Sequence, residues 1–253
     1  MIKKYIFLLL ISIGTFSSCT RYFIGQPAQM YPIAISDTLS APDTPLSSQV
    51  SQYLNPYKDS LSLKMNTVLI QSARRLTKAK PESELGNLMT DIMLEMGAEK
   101  LGKPVDVAMT NYGGIRTDLP AGNVTIGNVF EVMPFDNALV AITLSGEQMQ
   151  KVATYIAQGK EPQAGLKLVV GREDNQLKEA LIKSKPIDPA ATYTFITSDY
   201  VATSSDLAPI VKNNKGYQIL NYLVRDAMID YLRRKGEQKI LLNPQRDGRT
   251  RVE

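Results

Sequence analysis

The sequence predicts a mixed-sheet α+β domain, and three features carry that prediction. A long amphipathic helix occupies 82–101, where Leu85, Leu88, Met89, Ile92, Met93 and Met96 recur at intervals of three and four. Short β-branched or alternating runs mark strands on both sides of it. Two of these, LKLVV (166–170) and EALIK (179–183), follow one another across the polar turn GREDNQ with no helix between them. A doubly wound sheet would alternate strand and helix throughout, so a single mixed-sheet domain fits better. No internal repeat is present.

The elements are justified in chain order. Lys3 and Lys4 precede the apolar run YIFLLLISIG, which leads into Thr15-Phe16-Ser17-Ser18-Cys19. A charged start, an apolar stretch too short to span a bilayer comfortably and small residues before a cleavage point describe an export signal over 1–18. Cys19 is the single cysteine, so no internal disulfide is possible, and its place after two serines resembles a bacterial lipobox. The chain is therefore expected to be lipidated at Cys19 and held at the cell envelope on the periplasmic side. An ordinary signal with a chance cysteine, or a simple membrane anchor, is the alternative. Residues 19–46 are rich in Pro, Ser, Thr and Ala without a sustained period, as a tether would be.

The folded domain is expected over 47–253. A weak helical pattern with Val50, Tyr53 and Leu54 on one side runs from 47 to 63, and TVLIQSA (67–73) reads as a strand. Pro81, Glu82 and Glu84 suit the first turn of the 82–101 helix. Its methionine stripe is more often core than cofactor pocket. VDVAMT (105–110) is a buried strand that runs into NYGGIR (111–116). ALVAITLS (138–145) is another, and Ser145 with Gln148 forms a capping box for a helix burying Met149, Val152, Ala153 and Ile156. TYTFITS (192–198) is a strand, and apolar spacing predicts a last helix over 217–235.

Composition narrows the function. The chain of 253 residues is 43% hydrophobic and 21% charged, with a formal charge of +4 and scattered basic residues. A nucleic-acid partner usually demands a clustered basic face, so none is expected. NYGGIR is the one local oddity. Two consecutive glycines open backbone angles or close approaches denied to other residues, and Arg116 offers a planar fork suited to phosphate or carboxylate. Taken alone, the motif reads as a tight turn ended by a surface arginine, because short glycine motifs are weak evidence.

Three separated segments together resemble the C-terminal domain of the 5'-nucleotidases: GNLMTDIM (86–93), NYGGIR (111–116) and AGNVTIGNVFEVMPFDNALVAITLSGEQM (121–149). SDYVATSSD (198–206) and the closing DGR (247–249) fall in the same order. The resemblance implies that family's fold and a nucleoside or nucleotide site. Phe135 and Tyr200 would stack on the two faces of the base, Asn111 would face its edge, and Gly113 and Gly114 would shape the turn. Arg116 would lie near the phosphate, and Asp206 would accept bonds from ribose hydroxyls. Three departures stand out. Tyr112 occupies a usually small position, Ser204-Ser205-Asp206 replaces a glycine pair before the acid, and Lys78-Ala79-Lys80 stands where a further phosphate-contacting arginine is usual.

In that family a separate N-terminal domain hydrolyses the phosphate ester with two metals held largely by histidines. This chain contains no histidine, and two-metal hydrolysis needs a clamp on attacking and leaving oxygens. No catalytic residue, metal site or cofactor is therefore expected here. The expectation is a binding half that confers specificity on a separate metallophosphatase chain, which would hold the divalent metals. The alternative is a non-catalytic binding or structural lipoprotein that keeps the fold.

Overall fold

The computed structural model describes residues 45–253. The signal segment 1–18, Cys19 and nearly all of the tether 19–46 lie outside the described residues. Helix α1 (Pro45–Met65) comes first; residues 48–64 of it are solvent-exposed and Met65 is partly buried. From Gln52 to Glu253 the chain forms one compact unit. Strand β1 (Val68–Ser72) and helix α2 (Glu84–Leu101) follow. The helix starts two residues later than its sequence pattern suggests. Ser83 caps it by accepting the Gly86 N–H, which leaves Pro81 and Glu82 in the preceding turn.

After α2 come β2 (Val107–Met109), a 3₁₀ turn (Tyr112–Gly114), β3 (Gly122–Thr125), α3 (Ile126–Val132), β4 (Ala138–Ser145) and α4 (Gly146–Gly159). Both α3 and α4 start with a capping box, Thr125 with Asn128 and Ser145 with Gln148. Next are β5 (Gln163–Ala164), β6 (Leu166–Val170), β7 (Leu177–Ile182), β8 (Lys185–Pro186) and β9 (Thr192–Ser198). The chain then forms α5 (Asp199–Ser204), α6 (Ala208–Val211), β10 (Gly216–Leu223), α7 (Val224–Glu237) and β11 (Thr250–Val252).

The central sheet has the order β10-β4-β9-β2-β5, with β2 and β9 parallel and the other pairs antiparallel. A second sheet, β11-β6-β7-β8, and the pair β1-β3 complete the mixed arrangement. The inner strands β2, β4 and β9 are largely buried on both faces, whereas edge strand β10 is mostly exposed, and the pleat of the sheet divides the interior. Along β4, Leu139 and Ala141 point into one apolar cluster with α2 and α7, while Val140, Ile142 and Leu144 point into the other with α4. Phe195 and Ile196 of β9 split in the same way. Period-2 alternation of strand side chains produces this partition directly.

One predicted element changes type. The stretch 217–223, assigned to the last helix on its apolar spacing, belongs to strand β10, antiparallel to β4 through Tyr217↔Ile142 and Ile219↔Val140. The helix begins only at Val224. Strand pairing against the otherwise open edge of β4 overrides a helical spacing that is genuine only from Val224 onward. The ladder is interrupted between Ile219 and Leu223, where Asn221 has a φ of +49°, and resumes at Leu223↔Ala138.

Candidate functional site

Sheet topology brings several chain segments to one end of the central sheet. Strands β2 and β9 run parallel, so their C-terminal ends lie together, and antiparallel β4 and β9 pair Leu139 with Ser198. The loop before β4 carries Phe135, the first turn after β9 carries Tyr200, and the turn after β2 carries Asn111 to Arg116. These segments enclose a cavity of about 340 Å³ lined by Asn111, Gly113, Gly114, Arg116, Phe135, Asn137 and Tyr200. Strand ends of this kind are the usual ligand position in open α/β sheets.

The NYGGIR turn is built by its own backbone. The Gly114 N–H donates to the Asn111 carbonyl (2.9 Å) and Ile115 N–H to the Tyr112 carbonyl (3.3 Å). Neither glycine adopts a positive φ, so conformational freedom is not the reason for the pair. A Cβ at Gly114 would sit 2.7 Å from Asn111 Oδ1, so a side chain there would displace Asn111. At Gly113 the nearest neighbour of a Cβ would be 3.6 Å away, which leaves the backbone open toward the cavity. The Arg116 N–H donates to the Val132 carbonyl (2.9 Å), and its guanidinium donates to the Gly113 carbonyl (3.2 Å). The guanidinium carbon lies 5.9 Å from the Phe135 ring centre, within cation–π reach.

Phe135 and Tyr200 are 40% and 50% exposed, so neither belongs to the core. Their backbones are nevertheless tightly fixed. The Asp199 carboxylate accepts both the Tyr200 N–H (2.7 Å) and the Ala138 N–H (3.1 Å), which ties the start of α5 to the start of β4. Ser198 caps α5 by accepting the Val201 N–H. On the other side, Arg225 lies at the start of α7 with its side chain 8% exposed. It donates to the Phe135 carbonyl (3.3 Å), pairs with the Asp136 carboxylate and stacks over the Phe130 ring at 4.2 Å. The Val224 N–H donates to the Asn137 carbonyl (2.9 Å). The loop 133–137 is thus fixed to α7 from both sides.

Six of the seven residues expected to bind ligand line this one cavity. Asp206 does not. It is exposed, on the short link between α5 and α6. Ser205 shapes that link by donating to the Val201 carbonyl (2.6 Å) and accepting the Leu207 N–H (3.1 Å), and Leu207 is fully buried. Asp206 instead lies near Tyr155 of α4. Burial chiefly raises the Tyr155 phenol, a hydrogen bond with Ser205 opposes this, and the charges of Glu161 and Asp206 add to it. Lys78 is also outside the lining. Its ammonium donates to the Ile115 carbonyl (2.6 Å) and lies 4.6 Å from the Tyr112 ring centre.

Sequence reasoning did not single out three residues of the site. Asn137 stands within the PFDN motif and is legible there. Asp199 and Arg225 act on backbone atoms across the fold, and Arg225 lay inside a predicted helix as an ordinary polar residue. Among the described residues no group of three or more His, Cys, Asp or Glu could hold a metal ion. The donor set around the cavity, amide, guanidinium, aromatic and backbone, does not fit a divalent metal pair.

Comparison with known proteins agrees with this architecture. Residues 63–213 match the family described as "5'-nucleotidase, C-terminal domain". Protein UshA of Escherichia coli is 26% identical over 203 residues, covering 78% of this chain and 36% of UshA. An apyrase of Tabanus yao is 24% identical over 240 residues, covering 84% of this chain and 43% of the apyrase. The match therefore spans less than half the length of these relatives. Among solved structures, a 5'-nucleotidase precursor from Thermus thermophilus superposes with a TM-score of 0.68 at 24% identity, over 81% of this chain and 43% of that one. The NAD nucleotidase of Haemophilus influenzae gives 0.62 at 16% identity, over 81% and 41%. A sulfate thiohydrolase, SoxB, gives 0.57 at 17% identity, over 82% and 38%, so the fold alone does not dictate a nucleotide. With the matched segment covering more than half of its residues, this chain belongs to the 5'-nucleotidase C-terminal domain family.

Proposed function

We propose that the chain is the nucleoside- or nucleotide-binding specificity half of a split 5'-nucleotidase, acting with a separate metallophosphatase chain in nucleotide hydrolysis. One observation carries the reading. Phe135 and Tyr200, both half-exposed and both anchored through their backbones, converge with Asn111 and Arg116 on one cavity. Two solvent-facing rings at a cavity suit a flat heteroaromatic base, because each stacked base is worth roughly 1–3 kcal/mol and stacking is sequence-tolerant. Asn111 and Asn137 supply amide donors and acceptors for a base edge or sugar, and Arg116 supplies a fork for a nearby anion.

The chemistry belongs elsewhere in this proposal. A sequence without histidine offers no equivalent of the two-metal centre. Lipid attachment at Cys19 would hold the protein on the periplasmic side of the envelope, where a partner could work on exported or scavenged nucleotides. Asp206, exposed and away from the cavity, favours a second reading: a non-catalytic binding or structural lipoprotein that keeps the fold without a hydrolytic partner.

The assay is hydrolysis of adenosine monophosphate by the purified mature protein with manganese, cobalt or zinc. No turnover is expected from the chain alone, and addition of its metallophosphatase partner should give turnover with a nucleotide preference that Arg116→Ala weakens. Metal-dependent turnover by the single chain would overturn the split-enzyme reading. A partner indifferent to this chain would favour the structural one.

A further inference from the structure

The cavity offers a ligand two amides, one guanidinium, two rings and glycine backbone, and among the described residues no carboxylate lines it. A carboxylate is the usual acceptor for ribose hydroxyls, since its two oxygens can take both O–H donors of the diol. The acids around the cavity are each turned to another task. Asp199 accepts the Tyr200 and Ala138 N–H groups (2.7 and 3.1 Å). Asp136 pairs with Arg225. Glu161 accepts the Tyr112 N–H and pairs with Lys80 at 3.8 Å. Asp206 is held off by its own backbone. The Leu207 N–H donates to the Ser205 hydroxyl (3.1 Å), the Ala208 N–H to the Ser205 carbonyl (2.9 Å) and the Val211 N–H to the Leu207 carbonyl (3.2 Å). The Leu207 side chain is fully buried in the same apolar cluster as Val201, Ala202 and Val211. Swinging Asp206 into the cavity would pull on that anchor, and exposing a buried leucine is costly.

We infer that this site reads the base and not the sugar hydroxyls, so that it takes 2'-deoxyribonucleosides and their nucleotides on nearly the same terms as the ribo compounds. This rests on the nucleoside- or nucleotide-site reading above and refines its ligand class. A carboxylate on a ribose hydroxyl would favour the ribo sugar by about tenfold or more, because hydrogen bonds to ionised groups are the strong ones. The Asn111 and Asn137 amides are neutral, and in an open cavity a neutral hydrogen bond largely replaces one made to water. Stacking on Phe135 and Tyr200 engages the base alone. The Arg116 guanidinium only donates, so its fork serves a 5'-phosphate equally in either sugar series.

The test is calorimetric titration of the full mature protein with adenosine and 2'-deoxyadenosine at one fixed ionic strength, repeated with their 5'-monophosphates. Within each pair the two affinities should lie within about fivefold, the scale of one neutral hydrogen bond. Asp206→Asn, a change at an exposed position, should leave all four affinities as in the wild type. A larger preference for the ribo compound in either pair overturns the inference. Weaker binding of adenosine by a folded Asp206→Asn protein overturns it equally, because Asp206 would then be closing onto the sugar. If the wild type binds none of the four compounds, the nucleoside-site reading itself falls and takes this inference with it.

Discussion

Arg225→Ala should destabilise the domain and loosen the cavity together. The wild-type guanidinium is almost fully desolvated, stacks on Phe130 at 4.2 Å, donates to the Phe135 carbonyl and pairs with Asp136. A desolvated cation–π contact is worth about 2 kcal/mol, and a hydrogen bond from a charged donor about 1.5–3 kcal/mol. The Asp136 carboxylate is 78% exposed, so it recovers hydration when the pair is broken and contributes little to the loss. The Arg225 Nε atom has no partner in the wild type, which subtracts from what the side chain contributes. The net loss is about 3 kcal/mol. At 2–4 °C per kcal/mol for a domain of this size, the melting midpoint should fall by roughly 6–12 °C. Circular dichroism during thermal unfolding measures this. Arg225→Lys should recover part of the stability but not the fork geometry. A midpoint within 1 °C of wild type would refute the assignment of Arg225 as the support of the Phe135 loop.

Further outcomes follow from other contacts. Arg249 forms a two-pronged ion pair with Asp91 (2.7 and 3.1 Å) and also engages Asp247 (2.9 Å), so it anchors β11 against α2. Arg249→Met should therefore raise amide exchange in β11 well before the central sheet, as hydrogen-exchange mass spectrometry would show. The Arg249 hydrogen bond holds the Asp247 carboxyl below the ordinary 3.8. A depressed acid contributes stability that is complete well above its unfolded value and is lost as pH falls through the folded one. Acid titration of unfolding should thus show a stability loss below about pH 4 that Arg249→Met flattens. Gly114→Ala should displace Asn111, whose Oδ1 would lie 2.7 Å from the new Cβ, and weaken ligand binding by tenfold or more, whereas Gly113→Ala should fold normally. Mass spectrometry of the membrane fraction should find Met1–Ser18 removed and an acylated Cys19, and Cys19→Ala should release the protein from membranes.

Much of the interior was legible in the sequence because local and tertiary preferences agree there. β4 and β9 occupy the stretches their patterns indicate, and Ser145 with Gln148 forms the expected capping box. The segment 217–223 was not legible, since Leu220, Leu223 and Val224 carry helical spacing while the open edge of β4 decides the backbone. β3 and α3 were absorbed into a motif and went unread as elements, although Thr125 and Asn128 form a capping box of their own. At the site, the residues that line the cavity stand in short motifs, whereas the residues that hold those motifs in place do not. Asp199 and Arg225 bind backbone atoms 61 and 90 residues away, a relation no local pattern records. Asp206 shows the reverse: its motif position suggests the site, but a buried Leu207 and the Ser205 hydrogen bonds turn it elsewhere.

The central claim is that Phe135 and Tyr200 grip a base in this cavity. Calorimetric titration of the mature wild-type protein and of the Phe135→Ala and Tyr200→Ala variants with adenosine tests it most directly. The wild type should bind at one site per chain. Each variant should lose about 1–3 kcal/mol of binding while its melting midpoint stays within about 2–4 °C of wild type, since each ring is about half-exposed. Saturable binding that survives loss of both rings, or no binding by the folded wild type, would contradict the account.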